Sequence, residues 1–478
     1  MGRHNKLNGI FLLHYLYLGL LLQTLLFLSC SPTKPIGKTI SGKVILENTS
    51  DFSNVKVSLF NLPQIDTSIL NVLSKYPSLL PGVDLNIYLF DQRKQKPFAQ
   101  TLTDKEGIFS FSNIPDGEYI IFAQKEGYGW RYFKISTSGG EIQIQLNKEV
   151  NISGIIQGQN KWTRDRNYII EGDVEIPNGS SLYIENGCVV RFNGNFKIRV
   201  NGRLENEDIP GQMPIIFTTD DTTKTWGGIY VSEQGQLDLK YSVFRSASVG
   251  IFIDASNANV SNSIFIDNKN YGVSTVQISN AKNIKIEKCI FTGQPIGLNL
   301  EFTDTTVYVK NSIFVSNYES GIYATTSSAR IENNYFSGNR YSIQILSNIN
   351  RDTLLIKNNE FRSSKGYHIV HKGGIVKTIY NEILSSNGGI VLSPAYGTPI
   401  NIINFNNIAG KKFLLALGSG TKLTDAKFNY WGTESEAEIR NLIFDRNDVS
   451  PSDQYYYSYG IVDYSNYFSV PVKEAGVK

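Results

Sequence analysis

At 478 residues the chain is long enough for two or three domains. With 41% apolar, 12% aromatic and 19% charged residues it can bury an ordered core, which excludes the disordered and collagen-like classes. The formal charge is only +3, and two of the cations, Arg3 and Lys6, sit in the first six residues, so a phosphate-tracking nucleic-acid binder is also excluded.

Arg3, His4 and Lys6 open the chain and are followed by an apolar run from Ile10 to Leu28 that ends at Ser29-Cys30. That is the plan of a secretory signal peptide. The run is also near the length of a membrane span, so an uncleaved anchor helix is the competing reading. Its end, Leu25-Leu26-Phe27-Leu28-Ser29-Cys30, resembles a bacterial lipobox, with a departure at Phe27-Leu28, where the stricter pattern has Leu and then a small residue. The resemblance implies that residues 1–29 are a lipoprotein signal peptide and that Cys30 is acylated. Residues 30–36, with Ser31-Pro32-Thr33-Lys34-Pro35, would then be a tether, and the membrane a partner through the lipid. The expected location is the cell envelope, at the outer membrane. The other cysteines, Cys188 and Cys289, are 101 positions apart and are expected to be small buried hydrophobes rather than a disulfide.

Residues 37–150 carry short period-two runs, Gly42–Leu46, Val55–Leu59 and Leu85–Leu89, separated by Asn, Asp, Pro and Gly. These predict strands, interrupted by an insertion at 62–81 with room for one short helix. The series Thr103-Asp104…Gly107-Ile108-Phe109-Ser110-Phe111, Ile114-Pro115-Asp116-Gly117-Glu118-Tyr119 and Gly127-Tyr128 resembles the carboxypeptidase regulatory-like family of transthyretin-type β-sandwiches. The family name denotes an accessory module, so the resemblance implies a spacer or a sugar- or protein-binding unit, and no zinc-ligand spacing accompanies it.

Residues 151–432 read as a repeat array. Phe244, Phe265, Phe291, Phe314, Phe336, Phe361, Leu384, Ile408 and Trp431 recur about every 23 residues. Gly250-Ile251, Gly272-Val273, Gly297-Leu298, Gly321-Ile322 and Gly389-Ile390 form a second landmark. Such a unit suits one turn of a parallel β-helix, whose coils repeat at about 4.8 Å, and predicts some eleven coils. Two positions before each landmark stand Ser242, Ser263, Cys289, Ser312, Asn334, Asn359, Asn406 and Asn429, read as a polar stack at an inward bend. Asn262, Asn311, Asn333, Asn358 and Asn381 precede them, and Asn268, Asn317, Asn339 and Asn387 follow three after the landmark. Asn tolerates left-handed backbone, so these columns are read as structural. Together with Gly172–Phe192, Ile215-Ile216-Phe217-Thr218, Trp226-Gly227-Gly228-Ile229 and Asn429-Tyr430-Trp431-Gly432, the array resembles the bacterial right-handed β-helix repeat proteins of the pectate-lyase-like superfold. That resemblance implies a fold and leaves the activity open. Residues 433–478 are expected to form a cap, with a helix near 436–443 and a Tyr-rich stretch, Tyr455, Tyr456, Tyr457 and Tyr459, closing the end of the core.

The search for chemistry returns little. Acid pairs occur at Asp220-Asp221 and at Glu436 and Glu438, while Asp254, Asp267 and Asp304 are spread one per coil. His368 and His371, three apart on a strand, should face opposite ways and make no metal site. Copper would want grouped Met, Cys or His, and Met213, Cys188 and Cys289 are scattered. No cofactor and no metal are expected. The residues before the landmarks, Val243, Ile264, Ile290, Ile313, Tyr335, Ile383 and Tyr430, either point outward as an apolar contact stripe or tuck inward at a bend, the orientation preferred here. Tyr323, Tyr335 and Tyr341 are the candidate sugar-stacking residues. The fold class is thus all-β, a small β-sandwich followed by a β-helix. The function expected is a non-catalytic, lipid-anchored display protein that binds polysaccharide or another envelope protein. The alternative is a polysaccharide lyase or glycoside hydrolase.

Overall fold

The computed structural model describes residues 37–478 apart from 210–212, 255, 276–281, 326, 347–352, 386, 394–399 and 411–412. The expected signal peptide, Cys30 and the expected tether therefore lie outside the described residues. Two small sheets come first. One holds Ile108–Ile114, Lys38–Leu46 and Ile142–Leu146; the other holds Ala99–Leu102, Lys56–Asn61, Glu118–Lys125 and Tyr128–Ser136. Alternation along the strands puts Val44, Val57, Leu59, Phe109, Phe111 and Ile121 into one core between them.

From Val150 onward the chain winds into a parallel β-helix of about eleven turns. Three sheets run along it. A thirteen-stranded sheet, here the long sheet, extends from Gln159–Trp162 to Val462–Asp463. The phenylalanine sheet runs from Val189–Phe192 to Asn407–Gly410, and the glycine-led sheet from Lys197–Val200 to Ile443–Phe444. In the phenylalanine sheet Phe217, Phe244, Phe265, Phe291, Phe314, Phe336 and Phe361 pair directly from coil to coil. Their rings stack with centroids 4.6–5.0 Å apart and planes within 11° of parallel. The glycines that open the next sheet are required by close approach. A Cβ on Gly297 would sit 2.6 Å from the Gly321 carbonyl oxygen and 2.9 Å from the Phe314 ring.

The polar stack forms at the corner between the long and phenylalanine sheets. Asn262, Asn311, Asn333 and Asn358 turn that corner with φ of 52–58°. Behind them the Asn359 Oδ1 accepts from the Asn334 amide N–H at 2.9 Å, and the pattern repeats through Asn381, Asn406 and Asn429. Ser312 receives from the Cys289 N–H at 3.1 Å, so Cys289 is indeed a buried member of the column. Cys188 and Cys289 are both free and buried, and burial pushes the Cys289 thiol up to about 12.

One landmark is corrected. Phe361 pairs with Ile383, and Ile383 with Ile408, whereas Leu384 pairs with Arg362. Two adjacent large apolar residues made the choice ambiguous, and the buried Asn381 two positions before Ile383 settles it. Asn381 thus belongs to the stack rather than to the corner column. Asn387 is exposed, while Asn268, Asn317 and Asn339 are buried.

The insertion is larger than expected. Helix α1, Thr67–Lys75, is capped by Asp66; a 3-10 turn, Pro77–Leu79, follows; and helix α2, Leu85–Tyr88, is capped by Asp84. Leu85–Leu89 is therefore not a strand. Its apolar residues are buried among helices, where alternation carries no weight. The insertion fills the space between the four-stranded sheet and the β-helix. Ile69, Val72, Leu79 and Ile87 pack on one side against Phe60, Ile120, Phe122 and Trp130, and on the other against Val189, Ile216, Val243, Ile264, Ile290, Ile313 and Tyr335. The residues before the landmarks therefore point outward, Ile383 excepted, and from Val243 to Tyr335 the insertion covers them, while Tyr430 is half-buried.

At the far end helix α3, Glu436–Asn441, places Ile439 in the core, and Ile443–Phe444 and Val462–Asp463 each add an edge strand. The Tyr-rich stretch contributes unevenly to this end: Tyr455 and Tyr457 are 55% and 84% exposed, whereas Tyr459 packs edge-on against Phe444. Residues 468–478 instead run back along the corner column. Val472 exchanges hydrogen bonds with the Asn407 side chain, the Gly476 N–H donates to the Tyr380 carbonyl, and the Lys478 N–H donates to Asn333 Oδ1. The Ser78 hydroxyl of the insertion donates to the Lys478 carbonyl, joining both covering segments.

Candidate functional site

With the outer face of the phenylalanine sheet covered, the described residues leave two outer faces open. On the glycine-led face Arg199, Tyr230 and Phe252 follow one another in register. The Tyr230 and Phe252 rings stack at 5.5 Å, and the Arg199 guanidinium lies 5.0 Å from the Tyr230 centroid. Tyr323 is half-buried on the same face, between Asn299 and Gln344. Tyr341, also half-buried, starts its strand with Arg340 over its ring at 5.3 Å. Tyr335 is only 8% exposed, packed under the insertion, so it offers no ring face to a ligand.

The predicted acids do not converge. Asp220 pairs with Arg191 at 2.6 Å, and Asp221 accepts from the Thr223 N–H at 2.8 Å. Asp254 accepts from the Tyr230 hydroxyl at 3.3 Å, Asp267 pairs with Lys94, and Asp304 accepts from the Thr306 N–H at 2.8 Å. Glu436 and Glu438 lie in α3, where Glu438 accepts from Thr433. Both histidines are buried. His371 faces into the coil in register with Ile345 and Leu392, and His368 lies at the corner before the same strand. Their ring nitrogens are all engaged: His368 by the Ser342 hydroxyl and the Leu384 carbonyl, His371 by the Asn401 side chain and the Gly373 carbonyl. Among the described residues no group of three His, Cys, Asp or Glu could hold a metal.

The long sheet supplies what sequence reading missed. Its outward positions run in register as Lys161, Tyr183, Glu205, Asp238, Asn259, Lys285, Tyr308 and Arg330, with inward Leu204, Leu237, Ala258 and Ile284 beside them. Two grooves of about 580 and 770 Å³ lie along this face and share Arg203 and Gln236. Glu205 and Asp238 are direct neighbours on adjacent coils. Each is committed: Arg203 lies 2.7 Å from Glu205, Lys240 lies 3.4 Å from Asp238, and Asn259 Nδ2 donates to Asp238 at 2.7 Å. The signal was the alternation Arg203-Leu204-Glu205 and Gln236-Leu237-Asp238, visible once coils are aligned on the long sheet instead of the phenylalanines.

Residues 227–383 match the family model described as right handed beta helix region. The β-helix is right-handed. Among solved structures the chain is similar to the Dettilon tailspike protein, at 12% identity and a TM-score of 0.32, over 56% of this chain and 62% of that one. It thus spans less than two thirds of the tailspike's length. It is also similar to a Yersinia enterocolitica family 28 exopolygalacturonase, at 10% identity and a TM-score of 0.21, over 93% of this chain and 100% of that one. No curated protein matches the chain.

Proposed function

We propose that the chain is an exported protein of the cell envelope, held at the outer membrane by a lipid on Cys30. In this reading the two-sheet unit is a transthyretin-type spacer of the carboxypeptidase regulatory-like kind, and the β-helix presents a surface that binds polysaccharide or another envelope protein without cleaving it. The observation that supports non-catalytic binding is the state of the acids on the open faces. Glu205 and Asp238 are both ion-paired, and neither lies in an apolar enclosure of the kind that turns a carboxyl into a proton donor. A second reading, a glycoside hydrolase or polysaccharide lyase, is favoured by one fact: the same two residues are in register across a single coil step of about 4.8 Å, close to the separation of a retaining carboxylate pair. Incubating the full chain with neutral and acidic polysaccharides separates the two. Retention of polymer with no new reducing or unsaturated ends is expected. Product release that is lost in Glu205→Gln or Asp238→Asn would establish the enzyme instead.

A further inference from the structure

Resting on the binding reading above, we infer that the long-sheet groove takes a neutral, hydroxyl-rich glycan chain laid along the axis of the rod. Continuity is the first argument. The two hollows share Arg203 and Gln236, so together they form one trough crossing several coils.

The chemistry of the wall is the second. Gln159, Gln236, Asn257, Asn259 and Asn283 line it, so side-chain amides recur along its length. An amide offers both donors and an acceptor, which suits sugar hydroxyls that do the same. Gln159 and Gln236 are exposed, and their side-chain amides make no hydrogen bond among the described residues, leaving those groups for a ligand.

Charge is the third. Lys161, Glu205, Asp238 and Lys285 follow one another along the trough in one outward column, with Arg203 beside Glu205. Lys161 pairs with Glu185 at 2.6 Å and Arg203 with Glu205 at 2.7 Å, while Asp238 pairs with Lys240 at 3.4 Å. A polyanion would meet only Lys285 without an acid partner among the described groove residues, since the other cations are already paired. A polycation would find Glu205 and Asp238 already paired and Lys285 repelling it. An uncharged chain meets neither obstacle.

Two rings complete the site. Tyr183 and Tyr308 line opposite ends, each with a cation over one face, Lys161 at 5.6 Å and Arg330 at 5.4 Å. Successive coils, about 4.8 Å apart, set these side chains one after another along the trough, so that an extended chain meets a new one at each step.

The test is calorimetric titration of the full chain in detergent with cellohexaose, xylohexaose and hexagalacturonate, at low and high salt. At least one neutral hexasaccharide should bind with an affinity that changes less than about twofold with salt. Tyr308→Ala and Gln236→Ala should each weaken it by about tenfold or more. Tyr308→Phe should retain it, which guards against a folding defect, and Tyr230→Ala on the glycine-led face should leave it unchanged. Tighter, salt-sensitive binding of hexagalacturonate overturns the neutral-chain inference, and so does loss on Tyr230→Ala with no effect of Tyr308→Ala. Both outcomes leave the binding reading standing. If no glycan binds, the inference falls, and an empty protein-capture experiment on the same sample then removes the binding reading as well.

Discussion

Arg245, on a strand of the phenylalanine sheet, donates from Nη2 to the carbonyl oxygen of Tyr88 at 2.8 Å, tying the β-helix to the end of α2. The same guanidinium lies 4.0 Å from Asp91, which Arg93 grips through both carboxylate oxygens at 2.8–2.9 Å. Arg93 in turn donates to the Thr219 carbonyl at 2.8 Å. Burial alone would raise the Asp91 carboxyl, but the Arg93 hydrogen bonds and the Arg245 charge outweigh it and hold it well below the usual carboxylate range.

Asp91→Ala would leave two arginines buried without their acid. Removing one partner of a buried pair costs about 3–5 kcal/mol. The insertion should loosen first, because it is fixed to the rod by this cluster at one end and by Glu360 at the other, where Tyr76 donates and Lys75 pairs at 3.4 Å. Hydrogen exchange is the direct measurement: residues 67–90 should exchange faster while the coils around Phe314 stay protected. Unchanged exchange in 67–90 would show that apolar contact alone docks the insertion.

The two inner columns make separable predictions. Phe314→Ala removes a ring between Phe291 and Phe336 and should cost about 3–5 kcal/mol. Asn359→Ala orphans the Asn334 N–H and the Ile331 carbonyl inside the coil, at about 1–3 kcal/mol for each lost partner. Asn359→Ser should cost less, because Ser312 and Ser263 already fill the same role two and four coils away. Urea midpoints rank the three. Equal losses for Ala and Ser at 359 would mean that the ladder contributes packing and not hydrogen bonds.

The repeat was readable because its signals are local and reinforce one another: a phenylalanine, an Asn or Ser two before it, and a glycine where the next sheet begins. Where two apolar residues stood together, at Ile383-Leu384, the phenylalanine column alone gave the wrong register. What covers the outward stripe could not be read locally. Val243, Ile264 and Ile313 look like an exposed contact surface until Ile69 and Val72, from about 200 residues earlier, are brought onto them. The Tyr335 error has the same origin. Glu205 and Asp238 escaped notice because their proximity depends on pairing strands across a 33-residue coil, longer than the mean repeat.

The anchor is tested by one cysteine. If Cys30 carries the proposed anchor, Cys30→Ala should abolish labelling by a fatty-acid analogue and shift the protein from the membrane to the soluble fraction, since the acyl chains would supply the attachment. Among the described residues no helix is long and apolar enough to cross a membrane. Unchanged membrane association in the variant, with an intact leader, would favour the uncleaved helix.

Acid should weaken the fold through its histidines. The Leu384 carbonyl can only accept, so His368 Nε2 carries the proton and Nδ1 accepts from the Ser342 hydroxyl, a neutral ring with both nitrogens satisfied. Burial pushes its pKa down to about 4, with the Leu384 bond opposing and the Arg362 charge adding to the fall. His371 is lowered too, chiefly by burial. With the native pKa below the unfolded value near 6.5, the unfolded chain binds the extra proton between those limits. The stability that His368 supplies as a neutral ring is therefore complete above about pH 6.5 and is lost as the pH falls toward 4. The slope is roughly 1.4 kcal/mol per pH unit for one proton, and the loss for this residue totals about 3 kcal/mol. Urea midpoints of the wild type should drop across that window, and those of His368→Gln, which has no proton to take up, should drop less. Parallel pH profiles for the two proteins would place the acid sensitivity elsewhere, with His371 the next residue to replace.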